Sequence, residues 1–198
     1  ALLLRKEGIE TPILILGYTP CSRLRECVEN DASFVVYSME TVRALQELSC
    51  SRPNKIHLKI ETGPQRQGVQ GEELLTLVRE IKKNSNTVIE GAYTHFANIE
   101  DTTEHTFAEQ QLHRFQDALQ LLKSEDIDPP WKHTACSAAA ILFPETYFNL
   151  IRLGISQYGF WPSKETSVSA RALQKNITLQ KVLSWKTINS PSLLKEIS

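Results

Sequence analysis

No apolar run in these 198 residues approaches the length of a membrane span, so the sequence offers no bilayer-crossing helix. The start, ALLLRKEGIE, brings in charges too early for the apolar region of a signal peptide. Neither charge sign is in excess. With 22 basic against 23 acidic side chains and a formal net charge of -1, nothing marks a nucleic-acid or anionic-membrane surface, and a small neutral substrate stays open. The four cysteines, Cys21, Cys27, Cys50 and Cys136, lack paired metal-ligand spacing and read as structural thiols. There is no low-complexity segment and no repeat beyond an alternation of strands and helices. A cytoplasmic, globular chain is expected.

What remains is an α/β pattern of ordinary composition, 41% hydrophobic and 23% charged, long enough for one or two domains. Ala1 to Lys6 reads as a helix stopped at Gly8. Pro12 to Gly17 is a continuous apolar run, as in a strand buried on both faces. Thr19 and Pro20 then supply an N-cap and a first-turn proline for a helix carrying Leu24, Cys27 and Val28. The unit repeats with a strand at Phe34 to Tyr37, Ser38 as the next N-cap, and a helix through Val42, Leu45 and Leu48. Further strands are expected at Val88 to Phe96, Trp131 to Ala135 and Leu150 to Arg152. Leu74, Val78 and Ile81 mark one intervening helix, and Ala108, Leu112, Phe115, Leu119 and Leu122 mark a long one. Ser137 to Phe143 reads as a short helix. About six strand-helix units emerge, against the eight of a closed (β/α)8 TIM barrel. Beyond Gly159 the pattern changes, with a turn-rich stretch from Pro162 to Lys175 and an isolated strand from Ile177 to Ile188. A partial barrel over residues 1–160, followed by a linker and the start of a β domain over 161–198, is the expected organisation.

One stretch, HLKIETGPQRQG, carries the clearest chemical signal. Ile56, Leu58 and Ile60 fall on one face of an extended segment, and His57, Lys59 and Glu61 on the other. Three ionisable groups on a sheet face are costly unless that face is wet or is a site. Gly63 and Gly68 then bracket a constrained loop that presents Arg66 beside the strand end, where α/β folds keep their sites. The same face of a barrel would gather His95, Ser137 and Arg152. Ser137 opens a helix in TACSAAA, as a plain N-cap or as an anion ligand. Gly154 and Ile155 could add backbone donors to the same anion. Arg152 ends an apolar strand and needs a specific acceptor or a surface ion pair. Glu100 and Asp101 read as a solvated loop or a helix start.

Four segments, HLKIETGPQRQGV, GAYTHFAN, HTACSAA followed by FP, and IRLGISQYG followed by PS, stand in order and approximate spacing and resemble the N-terminal barrel domain of alanine racemase. The resemblance covers nearly the whole chain. It implies a pyridoxal 5'-phosphate (PLP) enzyme that interconverts L- and D-alanine for bacterial cell-wall synthesis, working as a homodimer with a C-terminal β domain. It further implies that Arg66 contacts the cofactor's phenolic oxygen and that Lys59 is the strand lysine, carbamylated in many members, that orients it. By the same resemblance Ser137, Gly154 and Ile155 bind the cofactor phosphate, while Arg152 sits at the pyridine nitrogen with His95 beside it in one hydrogen-bonded network.

The chain departs from the family pattern at Pro64, Gln65 and Gln67 around the arginine, at Glu61 for the common Asp, and at Cys136 for the usual Asn. The family's Schiff-base lysine segment and the catalytic tyrosine of the β domain are absent from the 198 residues. An internal fragment, inactive by itself, is therefore expected. A non-catalytic PLP-homeostasis protein on a related barrel, or a racemase of the same fold acting on another amino acid, are the alternatives.

Overall fold

The computed structural model describes residues 1–184, in which five parallel strands form one sheet in chain order. These are β1 (Ile13–Ile15), β2 (Ala32–Val36), β3 (Asn54–Lys59), β4 (Thr87–Tyr93) and β5 (Trp131–His133). Helix α1 (Leu2–Lys6) precedes them, and α2 (Leu24–Glu29), α3 (Met39–Gln46), α4 (Gly71–Lys82), α5 (Thr106–Ser124) and α6 (Ser137–Leu142) follow successive strands. Parallel neighbours in strict sequence order, each joined by a helical crossover, make the run of a (β/α) barrel carried about halfway round.

The helix side of the sheet is the apolar core. Phe34, Val36, Ile56 and Leu58 are fully buried there against Leu24, Val42, Leu45, Leu74, Val78, Phe115 and Leu122. Burying each such side chain contributes roughly 1.5–3 kcal/mol, which ties the helices to the strands. Ser38 caps α3 by accepting the Thr41 amide hydrogen (3.3 Å), and α4 carries Glu72 and Glu73 in its first turn and Lys82 in its last, as its dipole favours.

The sheet is not regular. Between β3 and β4 the register steps from Ile56 opposite Ile89 to His57 opposite Gly91, so Glu90 is an extra residue, a bulge that bends β4 ahead of Tyr93. The bulge sets Gly91 against His57. A Cβ added at Gly91 would fall 2.1 Å from the imidazole Nδ1, so only glycine admits that ring.

Several expectations need correction. The strand expected to be buried on both faces, β1, is the sheet edge: its three residues are half-exposed, and Leu16 just beyond it is exposed. Thr19 does not cap; Pro20 precedes a 3-10 turn without a side-chain cap bond, and the Thr19 hydroxyl is buried without a partner among the described residues. Leu150–Arg152 forms no strand. Its backbone runs beside the end of β5, where the Arg152 amide donates to the Ala135 carbonyl (2.9 Å), one bond instead of a ladder. The stretch expected as turn-rich contains α7 (Lys164–Ala172), capped by Ser163, whose hydroxyl accepts the Thr166 amide hydrogen (3.0 Å). Helix α7 packs Ala170 against Ile141 and Leu142 of α6, and Lys175 donates to the carbonyls of both (3.0 and 2.9 Å). No strand occurs between Ile177 and residue 184, and the remainder of the strand expected there, to Ile188, lies outside the described residues.

Candidate active site

The inner face of the sheet is built from the alternate residues of the same strands. His57 and Lys59 on β3 are 3% and 4% exposed, so the face expected to be wet or functional is polar and dry. Register places Tyr93 opposite Lys59 and Gly91 opposite His57, which puts Tyr93 on the same face. His133 at the end of β5 reaches across the gap left by Gly91 to His57, with Nε2 and Nδ1 2.9 Å apart.

Arg152 closes this array. Its Nη1 donates to His133 Nδ1 (2.6 Å) and to the His133 carbonyl (2.8 Å), and its Nη2 donates to the carbonyls of Thr94 (2.8 Å) and Thr134 (3.0 Å). The acceptor that the guanidinium needs is thus a cage of carbonyls and one imidazole. Because Arg152 only donates, Nδ1 of His133 is an acceptor, its Nε2 carries the hydrogen, and His57 receives it at Nδ1. Two neutral imidazoles in fixed tautomers result. Burial is the main reason they stay neutral: it pushes His57 down to about 4 and His133, also beside Arg152, to about 2. With both terminal nitrogens committed to these four acceptors, the Nε–H of Arg152 is the donor left over.

The cleft above this array has a volume of about 490 Å³ and is lined by Lys59, Arg66, Tyr93, His95, Ser137 and Arg152, with Gly154 and Ile155 at its edge. Lys59 lies 4.8 Å and Arg152 5.1 Å from the centre of the Tyr93 ring, which stacks on His133. Burial pushes Lys59 down to about 8, aided by Arg152 and Arg66 and opposed by Glu61, so part of it is uncharged near neutral pH. Burial likewise raises Tyr93 to about 12. Three cationic residues face one acid, Glu100, and the cleft is suited to an anion.

Arg66 reaches the rim on a loop shaped by Gly68, where a side chain would collide with the Glu61 backbone nitrogen at 2.6 Å. The Glu61 carboxylate accepts the Gly63 amide hydrogen and folds that loop back on itself. Ser137 is the first residue of α6 and not its cap, a position held by Cys136. Its hydroxyl oxygen accepts from the Gly154 amide (2.9 Å) and the Ser156 amide (3.4 Å), which orients its own hydrogen as a remaining donor. Gly154 is not demanded by packing, since an added Cβ would lie in ordinary contact, 3.7 Å from Ser137 Oγ.

The seven residues to which the family resemblance gives a role, Lys59, Arg66, His95, Ser137, Arg152, Gly154 and Ile155, line this cleft, whereas His57 and Glu61 of the ionisable face do not. The network around Arg152 differs from the expected one. His95 shares the cleft, pushed down to about 4 by burial and by Arg152, Lys59 and Arg66, but the imidazole bonded to Arg152 is His133. His133 has the parity of an inner-face residue in WKHTA and follows the same alternation as His57, which is the signal that could have found it.

A parallel half-barrel with its polar inner face opening into a cationic cleft at the carboxyl ends of the strands defines an α/β protein whose cleft suits an anionic small molecule. Residues 1–162 match the family model described as alanine racemase, N-terminal domain, and the chain belongs to that family. It is 34% identical over its whole length to alanine racemase 1 of Oceanobacillus iheyensis and 40% identical over 94% of its length to alanine racemase of Leptospira interrogans. The chain spans 50% and 48% of those two proteins, about half the length of the curated relatives it matches. Among solved structures, alanine racemase of Clostridium difficile in complex with cycloserine superposes with a TM-score of 0.82 at 29% identity, over 91% of this chain and 48% of that one. The Bacillus anthracis enzyme with bound L-Ala-P gives 0.82 at 32%, over 91% of this chain and 46% of that one.

Proposed function

We propose that the cleft binds pyridoxal 5'-phosphate and that the protein carrying this chain racemises alanine. The observation that carries this reading is the caged Arg152, whose one uncommitted donor borders a cationic cleft beside the Ser137 hydroxyl. Those features fit a flat, anionic group with an acceptor nitrogen at one end and a phosphate at the other. When bound, PLP supplies an electron sink that acidifies the substrate's α-hydrogen.

Arg152 can donate but cannot readily give up its proton, so it holds a ring nitrogen unprotonated and favours prompt return of the α-proton over side reactions. Ser137 with the Gly154 and Ile155 amides holds the phosphate. Arg66 holds the phenolic oxygen, and His95 borders the ring as a neutral imidazole. Lys59, with part of its amine uncharged, can add carbon dioxide through its nitrogen and release one proton to solvent; the resulting carbamate would orient Arg66. Racemisation needs two bases on opposite faces of the α-carbon. In this family they are a lysine and a tyrosine, and no stretch of these 198 residues resembles the segments that carry them, so we assign the binding of the cofactor, and not the two proton transfers, to the residues named here. We take residues 1–160 as the PLP-binding barrel unit and 161–198 as the passage into a C-terminal β domain, a passage that begins with α7 packed on α6. A cytoplasmic homodimer that supplies D-alanine to peptidoglycan in a bacterium completes the reading and rests on the family.

The test is an alanine racemisation assay on the protein carrying this chain, with its Arg66→Ala variant. A fall in turnover on the order of a hundredfold is expected from loss of a group that positions the cofactor. Near-normal turnover removes Arg66 from the site. Turnover of serine or lysine in preference to alanine replaces the substrate, and PLP binding without turnover of any amino acid supports a carrier.

A further inference from the structure

Gln111, on α5 and fully buried, belongs to no motif noted above. Its amide joins two loops that leave neighbouring strands. Nε2 donates to the Thr62 hydroxyl (3.0 Å), in the loop after β3, and to the His95 carbonyl (3.2 Å), in the loop after β4; Oε1 accepts the Ala97 amide hydrogen (3.0 Å). Thr62 and Thr94, also fully buried, face each other with their hydroxyls 2.7 Å apart. The single hydroxyl hydrogen of Thr94 goes to the Ile60 carbonyl (3.0 Å), so the hydrogen between the threonines belongs to Thr62. The chain therefore has one polarity, from Gln111 to Thr62 to Thr94 to the Ile60 carbonyl.

The neighbouring turns of α5 grip the same loop. Arg114 donates to the Thr62 carbonyl (2.9 Å), and a Cβ added at Gly63 would meet the Phe107 ring at 2.7 Å. Phe107, Gln111 and Arg114 lie at i, i+4 and i+7, on one helix face. The loops they touch carry Arg66 and His95, and the Thr94 carbonyl is one of the acceptors that cage Arg152.

We propose that Gln111 is a positioning residue, whose buried amide sets the distance between the Arg66 loop and the His95 loop and, through Thr62 and Thr94, the seat of Arg152. A fully satisfied buried amide specifies one arrangement, and an apolar replacement leaves its partners unpaired. The proposal rests on the cleft's reading as the PLP site, because only there does loop spacing become cofactor affinity.

The experiment uses the protein carrying this chain, with Gln111→Leu set beside Leu122→Ala, a core truncation at the far end of the same helix. Cofactor affinity is measured by titration with PLP, and loop opening by hydrogen exchange of residues 61–68 and 94–97. For Gln111→Leu, affinity should fall on the order of tenfold or more, exchange should quicken in both loops together, and the KM for alanine should change less than kcat. Leu122→Ala should lose melting temperature without these changes. The proposal is overturned if both loops of Gln111→Leu exchange as in the parent, or if affinity drops no further than in Leu122→Ala. Should the leucine variant not fold, Gln111→Glu at neutral pH or above, which keeps the shape but not the amide donors, repeats both measurements with the same outcomes expected. If the parent itself fails to bind PLP, the cofactor reading fails, and the exchange experiment still decides whether Gln111 joins the loops.

Discussion

Leu58 and Lys59 are adjacent on β3, equally buried, and opposite in what surrounds them. Leu58 points into the helix layer, where Ile56, Val78 and Phe115 exclude water and the packing is apolar. Lys59 points to the inner face, where it meets Tyr93, the field of Arg152, and the cleft. One face of the sheet stabilises the fold, and the other holds ionisable groups at a cost in desolvation. Such a cost persists where the groups serve a site.

The largest effect should come from Arg152→Leu. Removing the guanidinium orphans the carbonyls of Thr94, His133 and Thr134 and the Nδ1 of His133, at a cost of about 3–5 kcal/mol, as when one partner of a buried charged network is deleted. Denaturant unfolding and PLP titration should both register it; an unchanged midpoint would dissolve the cage as a structural unit.

Leu58→Ala should cost about 2–4 kcal/mol by leaving a cavity on the helix side, while PLP affinity of the folded fraction stays that of the parent. Gly91→Ala, with its Cβ driven into His57, should cost about 1–3 kcal/mol and break the imidazole pair, visible as altered ring shifts of His57 and His133 in NMR spectra.

Acid should act first on the inner face, at a pH above the range where the carboxylates titrate. His57, His95 and His133 have folded values below that of an unfolded histidine, about 6.5, so between that pH and about 4 the unfolded chain binds more protons. Their contribution to stability is complete above pH 6.5. It is lost on acidification at a slope approaching about 1.4 kcal/mol per pH unit for each histidine. His57→Phe should flatten that slope in urea titrations; an unaltered slope would mean that His57 is not held neutral.

The smallest stability effect belongs to Lys59→Met, within about 1 kcal/mol at neutral pH, because an apolar side chain of similar length avoids the desolvation that the amine suffers. The sign of its pH dependence is distinctive. With its value lowered from 10.5 to about 8, Lys59 makes the parent more stable as pH rises through that window. The methionine variant should lack the rise, and should lose racemase activity despite its intact fold. Intact mass of the parent, with or without an added carboxyl, decides the carbamate.

Much of this was legible in the sequence. Alternation in HLKIE separated the two faces of β3 without coordinates, and the strand-helix order gave the parallel sheet. Leu150–Arg152 misled because an apolar triplet ending in arginine reads as a strand, whereas its backbone makes a single bond, to Ala135, and the Arg152 side chain holds it in place. The His57–His133 contact was not legible, because the residues lie on non-adjacent strands and meet only where the sheet curves over Gly91. Helix α7 was hidden by its polar composition, although Ser163 followed by Glu165 and Thr166 carries a capping signal. Gln111 gave none, since a glutamine in an amphipathic helix looks like any solvent-facing residue until its burial is seen.

The most direct test is a crystal structure of the protein carrying this chain with PLP bound. The account predicts the pyridine nitrogen within hydrogen-bond distance of Arg152 Nε, the phosphate on the Ser137 hydroxyl and the amides of Gly154 and Ile155, and the His57–His133–Arg152 array unchanged. A phosphate bound elsewhere, or an Arg152 that leaves its carbonyl cage to meet it, would contradict the account.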